Sequence, residues 1–115
     1  MRIVNLQEFR SLPDGTVFMK YDPCIFGELE VRQDLCGDRD FLSESLINIE
    51  NNSSDDYLNK LDDAERDSSI ELKLDFDYTG RDGYFEDEQL FAVLSMEDLF
   101  GLKDKIDRCL QQMAG

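Results

Sequence analysis

The chain has 115 residues, of which 27 are Asp or Glu and 12 are Lys or Arg, so its formal net charge is −15 at neutral pH. Nucleic acid and anionic membranes would repel such a protein, which leaves cations and basic protein surfaces as its natural partners. The length suits one domain, and a hydrophobic content of 41% is enough for one core. Because histidine is absent, the usual Ser-His, Cys-His and histidine–metal sites are missing. A pair of carboxylates could still act as acid and base, but no spacing singles one out, and we expect no enzyme activity.

The first segment with a clear pattern is a short helix. Asn5 and Glu8 have the spacing of a capping box, and apolar residues recur at helical spacing after Asn5. The sequence therefore predicts a helix over residues 6–12, which the turn formers Pro13-Asp14-Gly15 end.

Three strands are predicted next. Residues 16–21 are rich in β-branched and aromatic side chains. Residues 25–32 alternate, which predicts a half-buried strand with its apolar face inward and Phe26, Glu28, Glu30 and Arg32 on the opposite face. Residues 41–49 are a third candidate, although serines weaken their alternation.

The middle of the chain predicts a helix over residues 55–67, preceded by a polar loop that offers an N-cap. The predicted inward face consists of Tyr57, Leu58, Leu61 and Ala64. Acidic residues in the first turn favour this helix, because they complement the helix dipole.

The last part of the chain predicts a hairpin and a helix. Residues 69–78 alternate most clearly of all, residues 79–83 have the composition of a hairpin connection, and residues 84–94 form the returning strand. Ser95 then caps a final helix, whose apolar stripe we expect to dock on the sheet. Residues 1–115 are thus predicted to form a single α+β domain. Its antiparallel sheet has about five strands, with a short N-terminal helix, a middle helix and a C-terminal helix packed on it.

One segment has the spacing of a calcium-binding loop. Asp75, Asp77, Thr79 and Glu86 occupy positions 1, 3, 5 and 12 of the pattern, and Gly80 occupies position 6. The aliphatic residue expected at position 8 is replaced by an acid, the preceding segment has strand periodicity, and the sequence has no second loop. An acidic hairpin without metal therefore explains the same residues, and no cofactor is expected unless this loop binds Ca²⁺.

Acidic residues are concentrated in two parts of the sequence. Eleven lie between Asp34 and Asp67 against three basic residues, and seven lie between Glu71 and Glu88 against two. Carboxylates on a helix and a neighbouring strand can imitate the regular negative charge of nucleic acid. The alternative is a solvated face that only keeps the protein soluble. Tyr78, Tyr84 and Phe85 flank the acidic hairpin, and we expect them to pack beneath it.

Two segments resemble small phage and prophage proteins. Residues 8–27 read EFRSLPDGTVFMKYDPCIFG and residues 82–93 read DGYFEDEQLFAV. These proteins share an initial EFxxLPxGT, a PCxFG and a later DGxF followed by QLFAV, over about a third of this chain. The resemblance carries no established activity and no site residue. It implies a mobile-element origin, where short acidic proteins often inhibit host defence systems such as CRISPR complexes.

The sequence therefore favours a non-enzymatic inhibitor of a basic, nucleic-acid-binding host protein, without direct nucleic acid or membrane binding. The expected partner-binding residues are Asp55, Asp56, Asp62, Asp63, Asp75, Asp77, Glu86, Asp87 and Glu88. A calcium module and a toxin-immunity protein are the alternatives. Cys24, Cys36 and Cys109 are an odd number of widely spaced cysteines, which favours free thiols and a cytoplasmic location.

Overall fold

The computed structural model describes residues 1–115 and has an α+β architecture with three helices and one antiparallel sheet of seven strands. The strands are β1 (Arg2–Val4), β2 (Thr16–Asp22), β3 (Ile25–Phe26), β4 (Glu30–Cys36), β5 (Asp40–Ser45), β6 (Thr79–Asp82) and β7 (Leu90–Val93). The helices are α1 (Leu6–Ser11), α2 (Ser54–Arg66) and α3 (Met96–Ala114). The strand order is β1-β7-β2-β4-β5-β6, and β3 pairs with the end of β2. The predicted fold class is confirmed, with more strands than expected.

The core lies between α1 and one face of the sheet. Phe9 of α1 is fully buried against Phe18, Phe41 and Phe91 of three strands. Its ring stacks on Phe91 with centroids 4.1 Å apart and meets Phe18 edge to face at 4.8 Å. Arg10 of the same helix donates from its guanidinium to the carbonyls of Gly37 and Asp40. The short helix is therefore held by aromatic packing and by the turn between β4 and β5.

All three helices begin at the caps that local sequence favours. Asn5, Ser53 and Ser95 each accept a hydrogen bond through the side chain from the backbone N–H three residues later. Ser95 and Asp98 form a reciprocal capping box. The predicted helices at 6–12 and 55–67 agree with the observed bounds to within one residue.

The hairpin predicted over residues 69–94 is wrong. Residues 69–78 form no regular strand and contribute only a single bridge between Leu74 and Ile49. The Asp77 N–H donates to the Asp75 side chain at 2.9 Å, so this donor is satisfied locally and is not available to a strand ladder. Most of the turn expected at residues 79–83 is instead β6, an edge strand paired with β5. The returning strand is limited to β7.

Gly83, just after β6, lies against the side chain of Asp40 in β5. A Cβ at this position would lie 2.8 Å from Asp40 Oδ1, so a larger residue would require this carboxylate to move. Arg81 of β6 pairs with the same carboxylate at 2.6 Å. A glycine that indicated a hairpin turn in the sequence therefore leaves room for the Asp40–Arg81 ion pair.

The predicted orientation of residues 25–32 is also wrong. The chain leaves the sheet at residues 27–29 between β3 and β4, and Ile25 is 66% exposed. The polar residues Glu30 and Arg32 are buried on the same face as the phenylalanines. Each has a partner there: Glu30 accepts from the Ser43 hydroxyl at 2.8 Å, and Arg32 donates to the Leu12 carbonyl and to Asp14.

Neither α2 nor α3 buries a residue against the sheet, contrary to the expectation of docked helices. On α2, Leu58 is 61% exposed, and Leu61 and Ala64 are only half-buried. The apolar stripe of α3 is exposed along most of its length. Of the aromatic residues predicted beneath the hairpin, Phe85 packs against the core, whereas Tyr78 and Tyr84 are exposed. The core is consequently small and depends on α1.

We predict that Arg32→Met lowers the free energy of unfolding by about 2–3 kcal/mol, because the Leu12 carbonyl and the turn at Asp14 lose a buried donor. The matched control is Arg2→Met, which removes an exposed ion pair with Glu8 and should cost less than about 0.5 kcal/mol. Urea unfolding of both variants measures the difference. Equal losses would contradict the anchoring role of Arg32.

We predict that Glu30→Gln stabilises the protein at pH 7. Burial raises the pKa of Glu30 above its ordinary value of 4.5, so the folded protein loses stability as pH rises through the folded pKa. Glutamine is neutral and keeps an oxygen that can accept from Ser43. The melting temperature should rise by roughly 3 °C at pH 7, and the gain should vanish below the ordinary pKa.

Thermal unfolding at pH 7 and pH 3 measures this effect. Asp34→Asn is the charge-matched control, because Asp34 is exposed and has no ion pair. A Glu30→Gln protein that melts below the native protein at pH 7 would contradict the prediction.

Candidate acidic interface

The strongest concentration of charge lies in one excursion of the chain. β5 and β6 are antiparallel neighbours, and residues 46–78 connect them. Within this connection, residues 50–77, here called the acidic segment, carry ten acidic and three basic residues. No residue of the acidic segment is buried. A hairpin would connect β5 and β6 in a few residues. Here the connection spans residues 46–78 and carries many carboxylates on its surface.

The acidic segment is fastened to itself at its base. The Glu50 N–H donates to the Lys73 carbonyl at 2.8 Å, and the Asp75 N–H donates to the Asn48 carbonyl at 2.7 Å. Lys60 of α2 donates to the Glu50 carbonyl at 2.8 Å. The backbone bonds place Asp75 next to the irregular stretch that leads into α2.

Cap hydrogen bonds position the carboxylates at both ends of α2. Asp56 accepts from the Asn52 N–H at 2.9 Å and pairs with Lys60 at 3.3 Å. The Asn52 hydrogen bond, followed by Lys60, holds the pKa of Asp56 below its usual value. At the other end, the Ser69 hydroxyl and N–H lower the pKa of Asp67. Both groups therefore keep their charge in mildly acidic solution.

The protein uses almost all of its positive charge internally. Ten of the twelve Lys and Arg side chains form ion pairs with carboxylates, and Arg10 is bound to backbone carbonyls. These pairs, with that of the terminal amine, engage eleven of the 27 side-chain carboxylates and leave sixteen without one.

Within the acidic segment, all three basic residues are paired, to Asp56, Asp62 and Glu50. Seven carboxylates have no ion pair, and all but Asp75 are exposed. They are Asp55, Asp63, Glu65, Asp67, Glu71, Asp75 and Asp77. The net negative charge of this segment is therefore not neutralised within the chain.

The nine sequence-predicted binding residues fall into two places. Six lie in the acidic segment, where Asp56 and Asp62 pair with basic residues of α2 and the others have no ion pair. Glu86, Asp87 and Glu88 lie in the irregular stretch before β7, beside Phe85, and Asp87 pairs with Arg39 at 3.2 Å. The hairpin that was expected to bring the second group beside Asp75 and Asp77 does not form.

Sequence reasoning left Glu65, Asp67 and Glu71 out of the predicted site, although they are exposed and have no ion pair. The predicted strand at residues 69–78 gave the acidic side chains the wrong neighbours. The signal that identifies them is the simple charge balance of residues 50–77, which needs no secondary structure.

The four candidate calcium ligands are placed in different local structures. Asp75 and Asp77 lie in an irregular turn, Thr79 begins β6, and Glu86 follows beyond the end of that strand. The structure contains no group of three or more His, Cys, Asp or Glu side chains arranged to hold a metal ion. The calcium hypothesis stays a prediction.

Comparisons with known proteins give no information about the function of this site. No protein-family model matches the chain, and no curated protein or solved structure matches it significantly. None of the three helices is both long enough and apolar enough to cross a membrane.

We predict that Ser53→Ala destabilises α2 locally by about 1 kcal/mol, because α2 has little packing to replace the lost cap. The neighbouring Ser54→Ala is the matched control, since Ser54 is exposed and caps nothing. Amide hydrogen exchange within α2 should accelerate about fivefold in Ser53→Ala only. Equal exchange rates in the two variants would show that the cap does not support α2.

Proposed function

We propose that this protein binds a basic surface of a nucleic-acid-binding protein and blocks it by occupying the place of nucleic acid. The observation that carries the proposal is the charge balance of the acidic segment, in which every basic side chain is paired internally and seven carboxylates are not. A partner rich in Arg and Lys would supply the missing positive charge.

The spacing of charge on α2 supports imitation of nucleic acid. Six carboxylates lie between Asp55 and Asp67, over about 18 Å of helix axis, which is roughly one every 3–4 Å. One strand of duplex DNA carries a negative charge about every 3.4 Å. A basic groove shaped for a phosphate backbone would therefore find a similar average density of carboxylates along α2, with Lys60 and Arg66 reducing the net charge of residues 55–67 to −4.

Internal ion pairs on α2 do not prevent this role. Lys60 and Arg66 pair with Asp56 and Asp62 four residues earlier, and such solvent-exposed pairs are worth only about 0.3–0.5 kcal/mol. Arg residues of a partner can exchange with them at little cost. The carboxylates would speed association and make binding sensitive to salt.

The resemblance of residues 8–27 and 82–93 to phage proteins is the basis for a host defence complex as the partner, with a CRISPR complex as the first to test. The proposal needs no catalytic group in this chain. It places binding on the acidic segment, with Glu86, Asp87 and Glu88 as a second, separate contact.

The test compares two triple variants that each remove three negative charges. Asp55→Asn/Asp63→Asn/Glu65→Gln changes the acidic segment, and Asp22→Asn/Asp34→Asn/Asp38→Asn changes exposed carboxylates elsewhere that also lack an ion pair. Each protein is titrated against purified DNA-binding CRISPR complexes, and their binding to labelled target duplex is measured. The first triple variant should inhibit at least about tenfold less well, and the second should retain inhibition.

A second arm identifies partners without assuming a CRISPR complex. The immobilised protein is exposed to bacterial lysate at low salt, and retained proteins are eluted separately with duplex DNA and with high salt. Basic nucleic-acid-binding proteins should appear in both eluates. Retained proteins that DNA does not displace, or equal losses in both triple variants, would contradict binding in place of nucleic acid at the acidic segment.

A further inference from the structure

The C-terminal helix presents an apolar stripe that the rest of the chain leaves exposed along most of its length. α3 is 19 residues long, about 28 Å along its axis, and buries none of its residues. Ile106 is 52% exposed, Leu110 59% and Met113 86%. A stripe of this length is costly to leave in water, since each such side chain contributes about 1.5–3 kcal/mol when buried.

The spacing of the stripe specifies the kind of surface that fits it. Its apolar residues recur at alternating steps of three and four, which are the a and d positions of a heptad repeat. They are Leu99, Leu102, Ile106, Cys109 and Met113. Lys103 and Lys105 flank the seam on its two sides. A repeat of 3.5 residues is typical of a helix that packs along another helix, whereas packing on a flat sheet requires no such repeat.

Charge allows two copies of this chain to meet along α3, which is exposed and nearly neutral. The helix holds four acidic and three basic residues, so it accounts for −1 of the net −15. Its Asp98 is already paired with the terminal amine at 2.7 Å, which lowers the pKa of that carboxyl to about 2. Two acidic segments would repel each other, whereas two α3 helices carry almost no net charge.

The chain exposes more surface than a compact monomer, and both α3 and the acidic segment contribute to the excess. The chain exposes 8394 Å², against about 6,500 Å² for a compact monomer of this mass. Its radius of gyration is 16.6 Å, against about 13 Å for a compact domain of this length. Burying the five a and d side chains would remove on the order of 500 Å² per copy, at about 100 Å² for each apolar side chain. The total for two copies, about 1,000 Å², reaches the lower bound for a specific interface.

We propose that two copies of this chain associate through α3, with the seam formed by its a and d residues. The pairing buries the stripe and leaves both acidic segments outside the interface. It is independent of the proposed function, because it uses none of the carboxylates assigned to partner binding.

The test is the mass in solution of the native protein and of single-carboxylate variants on α3. Light scattering with size exclusion should give twice 13.4 kDa for the native chain. The measurement is made in reductant, so that the three free cysteines do not link copies covalently. Ile106→Asp should raise the dissociation constant at least about 100-fold and give monomer. Gln111→Asp adds the same charge outside the seam and should remain a dimer.

Two further measurements separate loss of pairing from loss of folding. Because α3 is not packed on the sheet, the Ile106→Asp monomer should keep a cooperative thermal transition. Met113→Asp changes the far end of the same seam and should also weaken pairing. Added salt should leave the dimer intact or strengthen it, since it screens repulsion between acidic copies, whereas it weakens acidic partner binding.

A native protein that is monomeric at about 100 µM, well above the dissociation constants typical of stable interfaces, would overturn the proposal. So would an Ile106→Asp variant with unchanged mass, or a Gln111→Asp variant that dissociates equally. None of these results would affect the competition test of the acidic segment, so the two proposals fail separately.

Discussion

The packing of one phenylalanine holds this fold together. Phe9 contacts phenylalanines from three strands, with ring centroids within 5.3 Å. Only ten residues of the chain are buried, and four of them are these rings. Each ring contributes large apolar area together with favourable edge and stacking geometry. The rest of the molecule can remain open and highly charged because this cluster fixes α1 to the centre of the sheet.

The features that depend on neighbouring residues could be predicted from the sequence. The caps at Asn5, Ser53 and Ser95 and the helices that follow them depend on contacts three or four residues apart. The burial of Glu30 and Arg32 could not be predicted, because Ser43 and Leu12, which satisfy them, are distant in the chain. The alternating pattern predicted that Glu30 and Arg32 are exposed. Hydrogen bonds to residues distant in the chain allow both side chains to be buried instead.

The strand predicted at residues 69–78 does not form, for a different physical reason. Alternation there describes an amphipathic segment, but a strand also needs a neighbour with free backbone groups. β6 already occupies the edge beside β5, and the Asp75 side chain satisfies the backbone of Asp77 locally. The charge of the acidic segment was nevertheless evident from composition, since charge balance does not depend on whether the residues form a strand.

Residues 46–78 leave and re-enter the sheet at adjacent positions, because Glu44 of β5 is paired with Thr79 of β6. The entire stretch is therefore an insertion at the tip of the hairpin formed by β5 and β6. A tight turn could replace this insertion without changing the phenylalanine cluster. Insertions of different charge could be accepted at the same place. Such a layout separates the residues that set the surface charge from the residues that hold the core.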